Sequence, residues 1–319
     1  MFKIGIIERI HQNGIDLLKN NKKFQYEIID DVSEKNLIKK LPEFDGITLR
    51  VAKLNSDILS KCKKLKVISR HGVGYDNVDI NFLKNNNIKL LITATANAVS
   101  VAEHVMYMLL SLSKGITSYD TMVRSGDFRN DVKNLSTYEI YNKEILIMGF
   151  GRIGKILIKR CLGFDMRVMV YDPFVDKNII ESFGGKKIED LNLAFKSADF
   201  LSIHMPLNIK TKNLINLEKL KSMKENMIII NTARGGIINE KDLDQALNEK
   251  IIFGAGLDVF EKEPVDLINP LLNNKRVLLS PHSATFTKEC TMRMGVQTVQ
   301  NLIDFFENKV KKNMVVKYD

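Results

Sequence analysis

Four short stretches of this 319-residue chain hold residue types that could bind a dinucleotide and move a proton. In the first, Gly149, Gly151 and Gly154 stand in the spacing GxGxxG. The apolar run Glu144–Met148 precedes them, a helical pattern from Lys155 to Cys161 follows, and a second apolar run, Arg167–Tyr171, ends in Asp172. That order is the strand–turn–helix–strand of a dinucleotide-binding unit. Its first glycine permits the tight turn, the second lets backbone approach a pyrophosphate, and the third lets helix pack on strand. Backbone N–H groups at the helix start attract the phosphates. A carboxylate at Asp172 accepts hydrogen bonds from an adenosine ribose and repels a 2′-phosphate, which favours NAD over NADP. Alone, GxGxxG is equally a packing turn; its placement between strand and helix, with an acid closing the next strand, gives it weight.

The other three stretches also end apolar runs. Asn231–Gly236 (NTARGG) follows Met227–Ile230, Leu257–Pro264 (LDVFEKEP) follows Gly254–Gly256, and Ser280–Thr285 (SPHSAT) follows Arg276–Leu279. In an open α/β sheet, ligands lie outside the carboxyl ends of the strands. Hydride transfer to a ketone needs a held substrate, a polarised carbonyl and a proton for its oxygen. Arg234 could fork onto a substrate carboxylate, and His282 could supply the proton. A carboxylate beside His282 would orient the ring and favour its protonated form; Glu263 and Glu261 are both candidates, and periodicity does not separate them. Taken singly, Pro-His is an ordinary turn and Arg-Gly-Gly an ordinary loop cap.

Two sets of elements must position these residues. Short apolar strands are predicted at Phe2–Glu8, Tyr26–Asp30, Gly46–Leu49, Lys66–Ser69 and Ile88–Ile92, with helical patterns around Gly14–Asn20, Ser33–Lys40, Ser56–Cys62 and Ile80–Asn85. The alternation implies a small parallel-sheet domain. Arg50 follows its third strand and Arg70 its fourth, where a guanidinium suits a carboxylate or phosphate. Gly72-Val73-Gly74 offers backbone N–H groups for an anion. Ser100 and Glu103 read as a capping box starting the helix Val101–Lys114, with His104 a hydrogen-bonded or packed residue. Thr117–Tyr141, with Arg124, Phe128, Arg129 and Tyr138, reads as an exposed arm. A second doubly wound sheet follows, built from Glu144–Met148, Arg167–Tyr171, Asp199–Ile203 and the three runs above. Thr287–Asn308 is one amphipathic helix expected to return to the first domain. The predicted domains are therefore 1–98 with 288–319, for substrate, and 99–287, for NAD.

Composition narrows the classes. The chain has 45% hydrophobic and 27% charged residues, as in ordinary globular proteins. The net charge of +10 arises from dispersed lysines, with no basic run interleaved with aromatics, so no nucleic-acid partner is expected and a small anionic ligand fits the sign. There is no 18-residue apolar stretch, so no membrane partner is expected. Three scattered cysteines, Cys62, Cys161 and Cys290, imply no disulfide framework and no metal site, and point to a reducing cytoplasm.

In this order, GFGRIG, NTARGG, LDVFEKEP and SPHSAT resemble the D-isomer-specific 2-hydroxyacid dehydrogenase family, over essentially the whole chain. The resemblance implies Arg234, Glu263 and His282 as the catalytic triad, which selects Glu263 over Glu261. It implies NAD contacts at Gly149, Gly151, Arg152, Ile153, Gly154, Asp172, Met205, Pro206, Thr232, Ala233, Arg234, Asp258 and His282. It also implies two lobes with a cleft between them, a flavodoxin-like substrate domain and a Rossmann NAD domain, and a homodimer through the 100–141 arm. Within the family, Arg50 and RHGVGYDNVD look most like 3-phosphoglycerate dehydrogenases without a regulatory domain. That likeness assigns Arg50, Arg70, Val73, Gly74, Arg234 and His282 to substrate, D-3-phosphoglycerate, with no serine feedback expected. A glyoxylate or hydroxypyruvate reductase, or a broader 2-hydroxyacid dehydrogenase, keeps the same triad, and a corepressor-like NAD sensor is the non-enzyme alternative.

Overall fold

The computed structural model describes residues 1–127 and 136–318. In chain order the first elements are β1 (Phe2–Ile7), α1 (Gln12–Lys19), β2 (Phe24–Ile29), α2 (Glu34–Lys40), β3 (Gly46–Leu49), α3 (Ser56–Leu59), β4 (Val67–Arg70), α4 (Ile80–Asn85) and β5 (Lys89–Ile92). Next come α5 (Ala98–Lys114), α6 (Ile116–Arg124), β6 (Glu144–Met148), α7 (Arg152–Gly163), β7 (Arg167–Tyr171), α8 (Lys177–Ser182), β8 (Lys186–Lys187) and α9 (Leu191–Ser197). The chain continues through β9 (Phe200–Ile203), α10 (Leu217–Lys221), β10 (Ile228–Asn231), α11 (Glu240–Asn248), β11 (Gly254–Leu257), β12 (Val277–Leu279) and α12 (Lys288–Phe306). Two compact units result: Met1–Asn97 with Thr285–Asp319, and Ala98–Ala284.

The first unit holds a five-stranded sheet in the order β2-β1-β3-β4-β5, every pair parallel. This is a flavodoxin-like order, and its direction of winding reverses between β1 and β3. Ile4, Ile6 and Ile7 of β1 and Ile47 and Leu49 of β3 have no exposed surface, as expected of strands covered on both faces. α12 belongs to this unit: Ser69 Oγ donates to the Thr298 carbonyl at 2.7 Å, and a Cβ on Gly14 of α1 would lie 2.4 Å from the Gly295 carbonyl oxygen of α12.

The second unit holds a seven-stranded parallel sheet, β12-β11-β10-β9-β6-β7-β8. From β6 the chain winds outward through β7 to β8, then returns to β9 on the other side and on to β12. The reversal point therefore lies between β6 and β9, whose carboxyl ends are Met148 and Ile203.

Several local expectations need correction. Ser100 is not a cap: α5 already begins at Ala98, and the Ser100 hydroxyl donates to the Ala284 carbonyl at 2.6 Å. Glu103 reaches Arg160 of α7 at 2.7 Å instead of the helix start. Arg70 is the last residue of β4 and does not follow it. α3 stops at Leu59, short of Cys62. The polar stretch after α5 contains a helix, α6, that buries none of its residues. Phe128 and Arg129 lie outside the described residues. All three cysteines are free and buried, and burial pushes the Cys62 thiol up to about 11 and Cys161 up to about 12. Among the described residues no helix is long and apolar enough to cross a membrane.

The α1–α12 crossing is tight enough to test. Gly14→Ala should destabilise the protein by about 1–3 kcal/mol through overpacking. Gly163→Ala, where nothing lies within 4 Å of an added Cβ, should cost nothing. Thermal unfolding of both variants checks this; equal midpoints would contradict the close crossing.

Candidate functional site

The carboxyl end of β6 turns sharply. Gly149 has φ +100°, and an added Cβ would sit 2.6 Å from the His204 carbonyl oxygen, just beyond β9. The turn thus fits both the left-handed backbone and the strand junction only as glycine. A Cβ on Gly154 would lie 2.4 Å from the Gly149 carbonyl oxygen, so α7 starts pressed against its own loop. Around Gly151 nothing lies within 4 Å of an added Cβ, and no side chain caps the start of α7. Open space before an uncapped helix start is what a pyrophosphate requires. Arg152 is exposed beside it, and Ile153 is half-buried against the core.

Asp172, beyond the end of β7, does more than close a strand. Its Oδ2 accepts from Phe150 N–H at 2.7 Å and its Oδ1 from Phe174 N–H at 2.9 Å. The carboxylate ties the glycine loop to β7, and each oxygen keeps a lone pair for a ribose hydroxyl. Across the reversal point, Met205 is half-buried and Pro206 exposed. Between them and β9, His204 bonds Ser202 Oγ through Nε2 at 2.7 Å, and burial holds its basicity down to about 3. That ring is neutral at physiological pH.

β10 ends in Asn231, whose side chain shapes the next turn. Its Oδ1 accepts from Ala233 N–H at 3.0 Å and its Nδ2 donates to the Arg234 carbonyl at 2.8 Å. Thr232 is buried, and among the described residues its Oγ1 has no hydrogen-bond partner. Such an orphan is the kind of group a ligand satisfies. Arg234 Nη1 donates to the Ala233 carbonyl at 2.6 Å. A Cβ on Gly235 would fall 1.9 Å from the Phe260 carbonyl, so the Arg234 turn lies directly against the loop after β11.

That loop carries Glu263. Its Oε1 accepts from Phe260 N–H at 3.1 Å, and its Oε2 lies 2.8 Å from His282 Nδ1. Glu261 faces elsewhere, accepting from Glu240 N–H at 3.0 Å at the start of α11. Burial raises the affinity of Glu263 for a proton, but the His282 hydrogen bond and charge, the Phe260 N–H and the charge of Arg234 together bring it below the ordinary value. The geometry therefore groups Arg234, Glu263 and His282 at the carboxyl ends of the neighbouring strands β10, β11 and β12. Glu263 bonds Nδ1, so in the neutral ring Nδ1 carries the proton and Nε2 is available to exchange one. His282 adopts φ +52°, a conformation that is strained for a residue with a Cβ and is held only by its surroundings. Asp258 is fully buried, and its carboxylate accepts from Ser280 Oγ, Ser283 N–H and Ala284 N–H at 2.5, 2.8 and 3.0 Å. It is committed to the loop that bears His282.

In the first unit, register sets Leu49 of β3 opposite Arg70 of β4, so Arg50 and Arg70 leave adjacent strand ends. Arg50 stands at the winding reversal, where its Nη1 donates to the Arg9 carbonyl at 3.0 Å. Arg70 Nη1 donates to the carbonyls of Leu49 and His71, both at 3.2 Å. His71 lies close to both guanidiniums: burial first, then the charges of Arg50 and Arg70, lower it to about 4. Gly72 has φ +149°, while Val73 and Gly74 are half-buried beside it.

Asn231, Gly235 and His204 are not singled out by the sequence. The Gly-Gly after Arg234 was a visible sign of a close approach, but its partner, Phe260, lies in a distant stretch. Among the described residues no group of three or more His, Cys, Asp or Glu is placed to hold a metal ion.

A lowered Glu263 makes a signed prediction. Its ionised form contributes stability that is fully present above the ordinary value of 4.5. The contribution is lost as pH falls through the lower folded-state value. The gap between the unfolding midpoints of wild type and Glu263→Gln should therefore shrink as pH falls below 4.5. A gap independent of pH would contradict the ion pair.

Comparison with known proteins identifies the family. Residues 106–284 match the model of the D-isomer specific 2-hydroxyacid dehydrogenase, NAD binding domain. Over 316 residues the chain is 34% identical to D-3-phosphoglycerate dehydrogenase of Methanocaldococcus jannaschii, an alignment that covers 99% of this chain and 59% of that protein's length. It is 34% identical over 305 residues to hydroxypyruvate reductase of Thermotoga maritima, covering 94% of this chain and 97% of that one. The crystal structure of NAD-dependent formate dehydrogenase from Staphylococcus aureus in complex with NAD superposes with a TM-score of 0.87 at 26% identity, covering 99% of each chain. This chain is a member of the D-isomer-specific 2-hydroxyacid dehydrogenase family, and its residues 106–284 match that family's NAD-binding domain.

Proposed function

We propose that the chain is an NAD-dependent dehydrogenase of D-2-hydroxy acids, and that it oxidises D-3-phosphoglycerate to 3-phosphohydroxypyruvate, a step of serine biosynthesis. The observation that carries the dehydrogenase reading is the 2.8 Å contact between His282 Nδ1 and Glu263, beside the turn that bears Arg234. The protein's own groups fit the cofactor: open space at Gly151, an uncapped α7, lone pairs on Asp172 and the orphaned Thr232 hydroxyl. Arg152, Ile153, Met205, Pro206 and Ala233 border the same loops. When bound, NAD supplies the acceptor for the hydride that leaves C2 of the substrate. His282 Nε2 takes the proton of the C2 hydroxyl, and Glu263 keeps Nδ1 protonated and stabilises the resulting imidazolium. Arg234 pairs with the substrate carboxylate and holds C2 in line. In the reverse direction the same Nε2 returns the proton.

The phosphate reading is supported by Arg50 at the winding reversal of the first unit, with Arg70 on the neighbouring strand and the N–H groups of Val73 and Gly74 after it. A second reading, hydroxypyruvate or glyoxylate reduction, has its own support: the Thermotoga maritima reductase is as similar, at 34% identity, and it would use the same three residues. A homodimer contact is assigned to the 100–141 segment, where α6 leaves Ile116 and Val123 exposed.

Initial rates with 3-phosphoglycerate, D-glycerate, glyoxylate and D-lactate decide the substrate. The phosphorylated acid should have the highest kcat/KM, and Arg50→Ala should lower that value more than it lowers the value for D-glycerate. A higher kcat/KM for D-glycerate would overturn the assignment. His282→Ala should cut kcat by roughly 10²–10⁴-fold, the usual contribution of a positioned acid–base group. Near-normal turnover would remove His282 from that role.

A further inference from the structure

The strained backbone of His282 is held from both sides. Asp258 binds Ser280 on one side of it and Ser283 and Ala284 on the other. Ser280 commits its one hydroxyl proton to Asp258 at 2.5 Å. Its oxygen must then accept from His104 Nε2 on α5, 2.9 Å away. The chain of donors runs from His104 Nε2–H to Ser280 O–H to the Asp258 carboxylate, and it closes only with the proton of His104 on Nε2. Burial lowers the basicity of His104, opposed in part by the charge of Asp258 at 3.7 Å, which leaves a neutral ring able to serve as that donor. One turn earlier on α5, Ser100 Oγ donates to the Ala284 carbonyl at 2.6 Å. α5 therefore grips the His282 loop at its start through His104 and at its end through Ser100.

We propose that His104 is a positioning residue for hydride transfer: as an Nε2–H donor it locks Ser280 onto Asp258 and so fixes the backbone from which His282 presents its own Nε2. The inference rests on the reading of His282 as the acid–base group. Among the described residues the hydrogen bond and ion pair of His104 go to Ser280 and Asp258, not to Glu263 or the glycine loop, so its loss should disturb proton transfer and spare cofactor binding. A misplacement of about 1 Å at a reacting group can cost on the order of 10²-fold in rate. A purely structural histidine would affect stability and would not separate kcat from cofactor affinity.

The test measures kcat, the KM for NADH and NADH binding by fluorescence, with hydroxypyruvate as the keto acid. His104→Leu should lower kcat by roughly 10–100-fold while NADH binding stays within about twofold. His104→Gln, whose amide can donate from the position of Nε2, should recover most of the lost rate. In a His282→Ala background, single-turnover measurements should show no further loss from His104→Leu, since both changes act on one step. Ser280→Ala breaks the same chain without touching α5. It should give a similar loss of kcat, and it keeps the test open if His104→Leu does not fold. Wild-type kcat in His104→Leu or in Ser280→Ala would overturn the proposal. So would equal impairment of the Leu and Gln variants, or an unchanged factor in the His282→Ala background. Normal turnover by His282→Ala alone would instead sink the acid–base reading on which the proposal stands.

Discussion

A hydrogen bond from His282 Nδ1–H to Glu263, 2.8 Å long, governs what the carboxyl edge of the second sheet can do. It selects the nitrogen that stays protonated, orients the ring and keeps a negative charge beside it. Neither partner could be placed by its own loop alone. Glu263 is anchored by the Phe260 N–H, and the Arg234 turn reaches it because Gly235 leaves no side chain in the way. His282 depends on Asp258, a fully buried carboxylate at the end of β11 whose three donors all lie in the loop after β12. Adjacent parallel strands thus bring three loops together, and backbone N–H groups lock them there. Removing one donor should leave a buried charge undersatisfied, which is costly in a low-dielectric interior.

The nucleotide half of the site depends on a different constraint, close backbone approach. Gly149 touches the His204 carbonyl across the reversal of the sheet, and Gly154 touches the Gly149 carbonyl. Asp172 then ties the loop to β7 through Phe150 N–H. The carboxylate proposed to meet the ribose also shapes the glycine loop, so its replacement would act on both. Neutral His204 adds no positive charge there, so in the proposed site the attraction for phosphates would come from the helix start and the nearby arginine.

Much of this was legible because it is periodic or local. The strands Glu144–Met148, Arg167–Tyr171 and Gly46–Leu49 were readable to the residue, since apolar runs ending at Gly, Asp or Arg mark buried parallel strands. The arrangement of Gly149, Gly151, Gly154 and Asp172 was equally plain. What stayed hidden depends on contacts between distant stretches. Glu261 and Glu263 are two residues apart in one loop; periodicity leaves both open, and beyond the family resemblance only the contact with His282 separates them. Ser100 with Glu103 has the spacing of a capping box, yet the helix starts three residues before Val101, and the Ser100 hydroxyl goes to the Ala284 carbonyl. The resemblance expects Asp258 at the cofactor, and the sequence does not show that its carboxylate also binds three donors of the 280–284 loop. Short elements such as β8 and α10 were missed because two to five residues show no period.

The tautomer of His282 is the most direct measure of this hydrogen bond. Nitrogen-15 NMR of histidine-labelled protein, with the His282 signals assigned by comparison with His282→Ala, reports which ring nitrogen holds the proton in the neutral form. The Glu263 contact requires protonated Nδ1 and bare Nε2, with the preference weakened in Glu263→Gln. A neutral ring protonated on Nε2 in the wild-type protein would contradict it.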